Sequence, residues 1–156
     1  MTETEKFTKN LKTNLNEIGI KKGDIVYLGV NLGETFKFYR NLILQNSNLN
    51  IVRELCSKLI LRTLLEHIGK KGTIICPTFS FNFINTKIFN VKKTKSDLGY
   101  FENFFLNQKN TIRSFHPIYS IAILGKRKEI IWPCGKFSFG VNSPFVNFIK
   151  YNIKFL

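Results

Sequence analysis

Between positions 113 and 120 the chain reads Arg-Ser-Phe-His-Pro-Ile-Tyr-Ser, which puts a cation, two serine hydroxyls and one of its 2 histidines into one short stretch. Arg113 can hold a phosphate through paired donors. Ser114 and Ser120 can donate to ligand oxygens. His116 has a free pKa near neutrality, so its neutral imidazole can take a proton from an amine as that amine attacks a thioester. Pro117 pushes His116 toward an extended backbone. The cluster is therefore expected on a loop or strand end, where polar side chains converge on a ligand. The alternative role for His116 is to order that loop through backbone hydrogen bonds.

Two other segments offer ligand contacts. After the first apolar run the chain reads Gly29-Val30-Asn31-Leu32-Gly33-Glu34. Its glycines let the backbone amides around Asn31, Leu32 and Gly33 approach a pyrophosphate, although a plain turn explains the same residues. After the second run comes Pro77-Thr78-Phe79-Ser80. Hydroxyls there, Thr78 first, either bond a ligand oxygen or cap a turn. Asp24, Glu34, Asp97 and Glu102 are available carboxylates, but spacing pairs none of them with His116. The HExxH, phosphate-loop and GxSxG signatures are absent.

Positioning these residues needs a frame, and the apolar pattern predicts one. Phe7, Leu11, Leu15 and Ile18 recur at helical spacing before a capping Gly19, and residues 25–30 then read as a buried strand. The unit repeats: residues 51–68 read as a helix with Asn50 and Gly69 as caps, and Thr73-Ile74-Ile75-Cys76 is a strand stopped by Pro77. His67 in the last turn reads as a solvated residue complementing the helix dipole. Further on, a helix is expected from Ser96 or Asp97 to Leu106, a strand at 121–124, a helical turn at 127–132, a helix from Ser143-Pro144 and a strand starting at Ile153. Residues 31–50 mix loop formers with packed-looking Phe36, Phe38, Tyr39, Leu42, Ile43 and Leu44. The fold class is a layered α/β sandwich with a mixed, largely parallel central sheet, in one domain over residues 1–156.

Composition narrows the partners. Lys and Arg number 24 against 10 Asp and Glu, a net charge of +14, which favours anionic partners. The lysines are scattered. Aromatic and basic residues alternate in Phe36-Lys37-Phe38-Tyr39-Arg40 without an RNA-binding signature, so nucleic acid is a minor alternative. The 3 cysteines, Cys56, Cys76 and Cys134, are far apart and form no CxxC, which argues against a disulfide framework and against a zinc or other metal site. Cys56 and Cys76 fall in apolar runs, and Cys134 is the one expected nearest the surface. A polar N-terminus and the lack of a long apolar run predict a cytoplasmic protein that does not span a membrane.

Several of these pieces together carry a resemblance. They are Ile18-Gly19-Ile20-Lys21-Lys22-Gly23-Asp24, then Gly69 to Ser80, Ser96-Asp97-Leu98-Gly99 with Glu102, the run from Arg113 to Gly125, and Phe139-Gly140-Val141-Asn142-Ser143-Pro144-Phe145. In this order they resemble the aminoglycoside 3-N-acetyltransferase family over residues 15–156. The resemblance implies an α/β enzyme that moves an acetyl group from acetyl-CoA to an amine of an amino sugar, an aminoglycoside or a polysaccharide precursor. It implies coenzyme A contacts from Asn31, Leu32, Gly33, Thr78, Arg113, Ser114 and Ser120, and an active-site location for His116. Where the family carries a His-Ser-Ser type sequence, this chain reads Leu28-Gly29-Val30-Asn31. Family members are also longer, with a further histidine and a glutamate in their second half. The expectation is therefore a truncated chain with a sheet incomplete at its C-terminus. Such a chain would be a split or truncated gene product, a fragment, or a shortened relative; besides an acetyltransferase, the alternatives are an inactive remnant or a half-enzyme needing a partner chain.

Overall fold

Two successive helix–strand units build the centre of the sheet. In the computed structural model, which describes residues 1–38, 48–131 and 134–156, the first unit is α1 (Glu3–Glu17) and β1 (Ile25–Tyr27). Thr2 and Glu5 form a reciprocal capping box at the start of α1. Gly19, at φ 77°, turns the chain out of it, and Ile20 N–H closes back on the Leu15 carbonyl at 2.8 Å. The second unit is α3 (Leu49–Ile68) and β2 (Thr73–Pro77). The cap of α3 is Asn48, whose side chain accepts from Asn50 N–H, so the expected cap at Asn50 sits two positions too late. The short α2 (Leu32–Phe38) follows β1. The packed segment anticipated around Tyr39, Leu42, Ile43 and Leu44 lies outside the described residues.

Downstream come α4 (Phe83–Thr86), α5 (Tyr100–Leu106), β3 (Ile112–Arg113), β4 (Ile121–Gly125), a 3-10 turn (Lys128–Ile130), α6 (Val146–Lys150) and β5 (Lys154–Phe155). The strands lie in the order β3-β4-β2-β1-β5. Both partners of β1 run parallel to it, while β4 runs antiparallel to its two neighbours. Four of the described strands thus share one direction and β4 opposes them, which is the mixed, largely parallel sheet expected.

Alternation along the strands separates two cores. Val26, Ile74 and Cys76 face α1, α3 and α5 through Leu15, Leu64, Ile68, Phe101 and Phe105. Ile25, Ile75, Ile121 and Ile123 face the other way, against Ile130, Ile131, Phe148 and Ile153. Ile18 and Ile51, expected on the apolar helix faces, are exposed. Ile18 is the residue where the chain leaves the helix, and Ile51 occupies the first turn of α3, before that helix reaches the sheet. His67 is not simply solvated: its Nε2 lies 2.8 Å from the Ile20 carbonyl and ties the end of α3 to the turn before β1. Cys56 and Cys76 are buried and Cys134 is half-buried, all three as free thiols. Among the described residues no helix is long and apolar enough to cross a membrane.

The edge strand β5 is held by a charge. Lys154 Nζ donates to Asp24 Oδ2 and to the Gly19 carbonyl, both at 2.6 Å. Burial alone would raise the Asp24 pKa, but the Lys154 bond and the Lys21 N–H hold it below the usual carboxylate value. That stabilisation is present above the unfolded-state pKa and is lost as pH falls through the folded one. Lys154→Met is expected to cost about 1 kcal/mol near neutrality, less in acid, and to speed exchange of Leu156 N–H, which bonds the Tyr27 carbonyl. Urea titrations at two pH values and amide exchange check this.

Candidate functional site

The polar cluster forms where β2 ends and β4 begins. Pro77 pairs with Ile121 in the antiparallel register, and the ladder continues past the strands as an irregular clasp. Thr78 N–H and Oγ1 both donate to the Ser120 carbonyl, at 2.9 and 3.1 Å, while Ser120 Oγ donates to the Thr78 carbonyl at 2.8 Å. Ser80 N–H donates to the Ile118 carbonyl at 2.8 Å. Strand β3, invisible in the sequence pattern, pairs with β4 and delivers Arg113 underneath this clasp.

Arg113 is only 8% exposed. Its Nε donates to Ser120 Oγ at 3.0 Å, and one terminal nitrogen donates to the Thr78 carbonyl at 2.6 Å and to Ser80 Oγ at 2.8 Å. The other terminal nitrogen donates to the Thr94 carbonyl. The guanidinium also lies 5.0 Å from the centre of the Phe89 ring. Four of its five N–H donors are therefore spent inside the protein. Burial pushes its pKa down to about 10, partly offset by the charge of Asp97, so it remains a cation near neutrality. Arg113, expected to hold a phosphate through paired donors, has in this structure one N–H of its buried fork left over for any further acceptor. Thr78, Ser114 and Ser120, expected to contact the carrier, lie beside Arg113. All three are buried, and Ser114 Oγ accepts from Ile121 N–H at 3.0 Å. Their hydroxyls bond neighbouring backbone and secure the loop.

His116 sits on the same loop, yet its ring points elsewhere. Nδ1 accepts from Ile118 N–H at 3.1 Å and from Tyr119 N–H at 2.8 Å. That lone pair is therefore used, and the ring proton must be on Nε2. Nε2 lies 2.6 Å from Ser138 Oγ and donates to it. The ring stacks on Tyr119 with centroids 5.8 Å apart. Burial lowers the His116 pKa, which favours this neutral form. For His116, expected as a candidate base for an attacking amine, both ring nitrogens are engaged within the protein in this structure. The reversed polarity of the Ser138–His116 pair also leaves Ser138 unactivated as a nucleophile.

Asn31, Leu32 and Gly33 lie apart from this clasp, at the start of α2. Asn31 Oδ1 caps that helix, accepting from Gly33 N–H at 3.0 Å and Glu34 N–H at 3.4 Å. The three line a cleft of about 820 Å³ whose opposite wall runs from Lys95 to Asn107, with Arg53 contributed by α3. Of the four carboxylates, Asp24 meets Lys154, Asp97 accepts from Asn82 N–H at 2.8 Å, and Glu34 lies in the first turn of α2. Glu102 lines this cleft. Ser96 and Asp97, read as helix caps, build the loop before α5 instead: Ser96 N–H and carbonyl are both bonded by the Asn103 side chain at 2.9 Å. Among the described residues no group of three or more His, Cys, Asp or Glu is arranged to hold a metal ion.

The aminoglycoside 3-N-acetyltransferase family model matches residues 47–156. No curated protein sequence matches. The fold is similar to that of aminoglycoside acetyltransferase AAC(3)-Xa, with TM-score 0.72 and 15% identity over 96% of this chain and 55% of that one. It is also similar to AAC-VIa in its sisomicin-bound structure, with TM-score 0.70 and 17% identity over 95% and 57%. The YokD protein of Bacillus subtilis gives TM-score 0.64 and 21% identity over 88% and 58%. The chain thus spans between 55% and 58% of the length of these relatives.

Two outcomes follow from the clasp. Arg113→Lys keeps the charge but cannot reach four acceptors in a fork, and is expected to cost about 2–4 kcal/mol in chemical denaturation. Proton titration of His116 by NMR is expected to give a midpoint below the ordinary 6.5. The stability tied to its neutral form is full above the unfolded-state pKa and is lost as pH falls through the folded one.

Proposed function

The chain belongs to the aminoglycoside 3-N-acetyltransferase family, and on that premise we propose that it forms part of an acetyl-CoA-dependent N-acetyltransferase acting on the amine of an amino sugar. The acceptor is an aminoglycoside or a polysaccharide precursor. The observation that carries this reading is the family match over the segment that builds the Arg113 clasp and the Lys95–Asn107 wall of the cleft. A structure of AAC-IIIb holds CoASH, with TM-score 0.65 and 16% identity over 92% of this chain and 55% of that one. A cytoplasmic setting suits the free thiols.

The cleft suits an anionic carrier. Arg53 and Lys95 line it, and no carboxylate pairs with either among the described residues. Asn31, Leu32 and Gly33 lie opposite and would hold the carrier through the α2 entry. When bound, acetyl-CoA supplies a thioester as the activated acyl group. The chain's own residues position and shield. Arg113, Ser114, Ser120 and Thr78 fix the loop from Thr78 to Ser80 against the one from Ser114 to Ser120. His116 holds the Pro117–Tyr119 turn, and the interlocked rings of Phe79, Phe81 and Tyr119 stiffen it.

An inactive remnant, or a half-enzyme completed by a partner chain, is the second reading. It is favoured by the outer edge of β5, where Phe155 is 67% exposed beside Phe148 and Tyr27. Calorimetric titration with coenzyme A tests the first reading. Binding tighter than millimolar is expected, with Arg53→Ala plus Lys95→Ala weakening it about fivefold. No heat and no competition would count against it. Acetyl transfer to sisomicin or apramycin by the chain alone would exclude the remnant. Transfer only after adding a second chain would establish the half-enzyme.

A further inference from the structure

One buried ionisable side chain takes no part in the clasp or the edge latch. Glu102, in the first turn of α5, is 6% exposed. Its carboxylate lines the cleft and, among the described residues, forms no ion pair and no hydrogen bond with another residue. Isolated buried carboxylates are costly in their charged form. Here burial duly holds the Glu102 pKa above the usual carboxylate value. A wholly structural residue at this position would be served better by an amide or an apolar side chain.

The surroundings leave the group open to a ligand. Glu102 lines the 820 Å³ cleft together with Asn31 and Gly33 on the facing wall. Gly99 carries no side chain, and a Cβ built there would fall 3.0 Å from Glu102 Oε2. On its inner side the carboxylate faces the Cys76 thiol of β2, whose own pKa it helps raise after burial. The other charged groups lining the cleft are Arg53 from α3 and Lys95 from the loop before α5, and among the described residues neither forms an ion pair with it.

We propose that this cleft is an amine subsite and that Glu102 binds the ammonium group of the acceptor there. The inference rests on the acetyltransferase reading and deepens it. A primary ammonium is compact, carries three donors and brings the counter-charge that the carboxylate lacks. The rim cations Arg53 and Lys95 then favour the anionic carrier, and the floor favours the cationic acceptor. The two charges of opposite sign sort the two substrates within one cleft.

The test is calorimetric binding of sisomicin and of glucosamine, with carbon-13 carboxyl titration of Glu102. Glu102→Gln keeps the shape and removes the charge. It is expected to weaken sisomicin at least tenfold, to change coenzyme A affinity less than twofold, and to leave the thermal midpoint unchanged or raised. In the wild type, saturating sisomicin should move the Glu102 midpoint downward. Should Gln at this position disturb α5, Gly99→Ala crowds the carboxylate and should weaken sisomicin in the same way. Equal sisomicin affinity in wild type and Glu102→Gln overturns the proposal, as does a carboxyl midpoint that ignores the ligand. Coenzyme A binding without binding of either amine overturns this inference alone, whereas loss of coenzyme A binding removes the acetyltransferase reading beneath it.

Discussion

A single buried cation sets the shape of the polar end of this molecule. The Arg113 guanidinium has no carboxylate bonded to it, and its charge is met by two backbone carbonyls, two hydroxyls and a ring face. Charge-assisted bonds of this kind contribute about 1.5–3 kcal/mol each, enough together to offset the desolvation of one guanidinium. Because the acceptors come from three separate stretches, around Thr78, Thr94 and Ser120, the loops stay in place only as a set. Removing the cation would strand carbonyls in a region that water reaches poorly.

This constraint explains the division of labour in the sheet. The parallel strands β1 and β2 bring their C-terminal ends to one side, where open α/β sheets bind ligands. Strand β4, running the other way, starts at that same side, and this is how Ser120 meets Thr78. The residues with the most chemical promise in isolation are therefore the ones consumed in joining the strands. Under the proposed function, ligand contacts fall to groups that the clasp does not use. Those lie around the cleft beside α2 and α5, on the face that carries the larger core.

The frame is largely legible in the sequence, whereas the bonding of the candidate residues is not. Helical spacing at Phe7, Leu11 and Leu15 and along residues 51–68, with the apolar runs 25–30 and 73–76, announce α1, α3, β1 and β2, because period and burial are local properties, although β1 itself ends at Tyr27, three residues short of the run. Strand β3 contains only Ile112 and Arg113, too few residues for any period, and α2 is a short helix defined by one capping asparagine. The direction of Arg113 could not be read, since its acceptors include backbone carbonyls at Thr78 and Thr94, which any sequence would supply. His116 did carry a signal. A proline directly after it removes one N–H and bends the next two toward the ring, which is the geometry of a side chain closing a turn. Glu102 gave no warning of its isolation, because the absence of a partner is a property of the folded surroundings.

The most direct measurement is hydrogen exchange of the Arg113 Nε–H, followed by NMR in the free protein and after adding coenzyme A. An internal clasp predicts a proton protected as strongly as the Ile121 and Ile123 amides of β4, with a chemical shift that coenzyme A leaves unchanged. Exchange as fast as that of an exposed arginine, or a large shift on adding coenzyme A, would show that the guanidinium faces a ligand and would contradict the account.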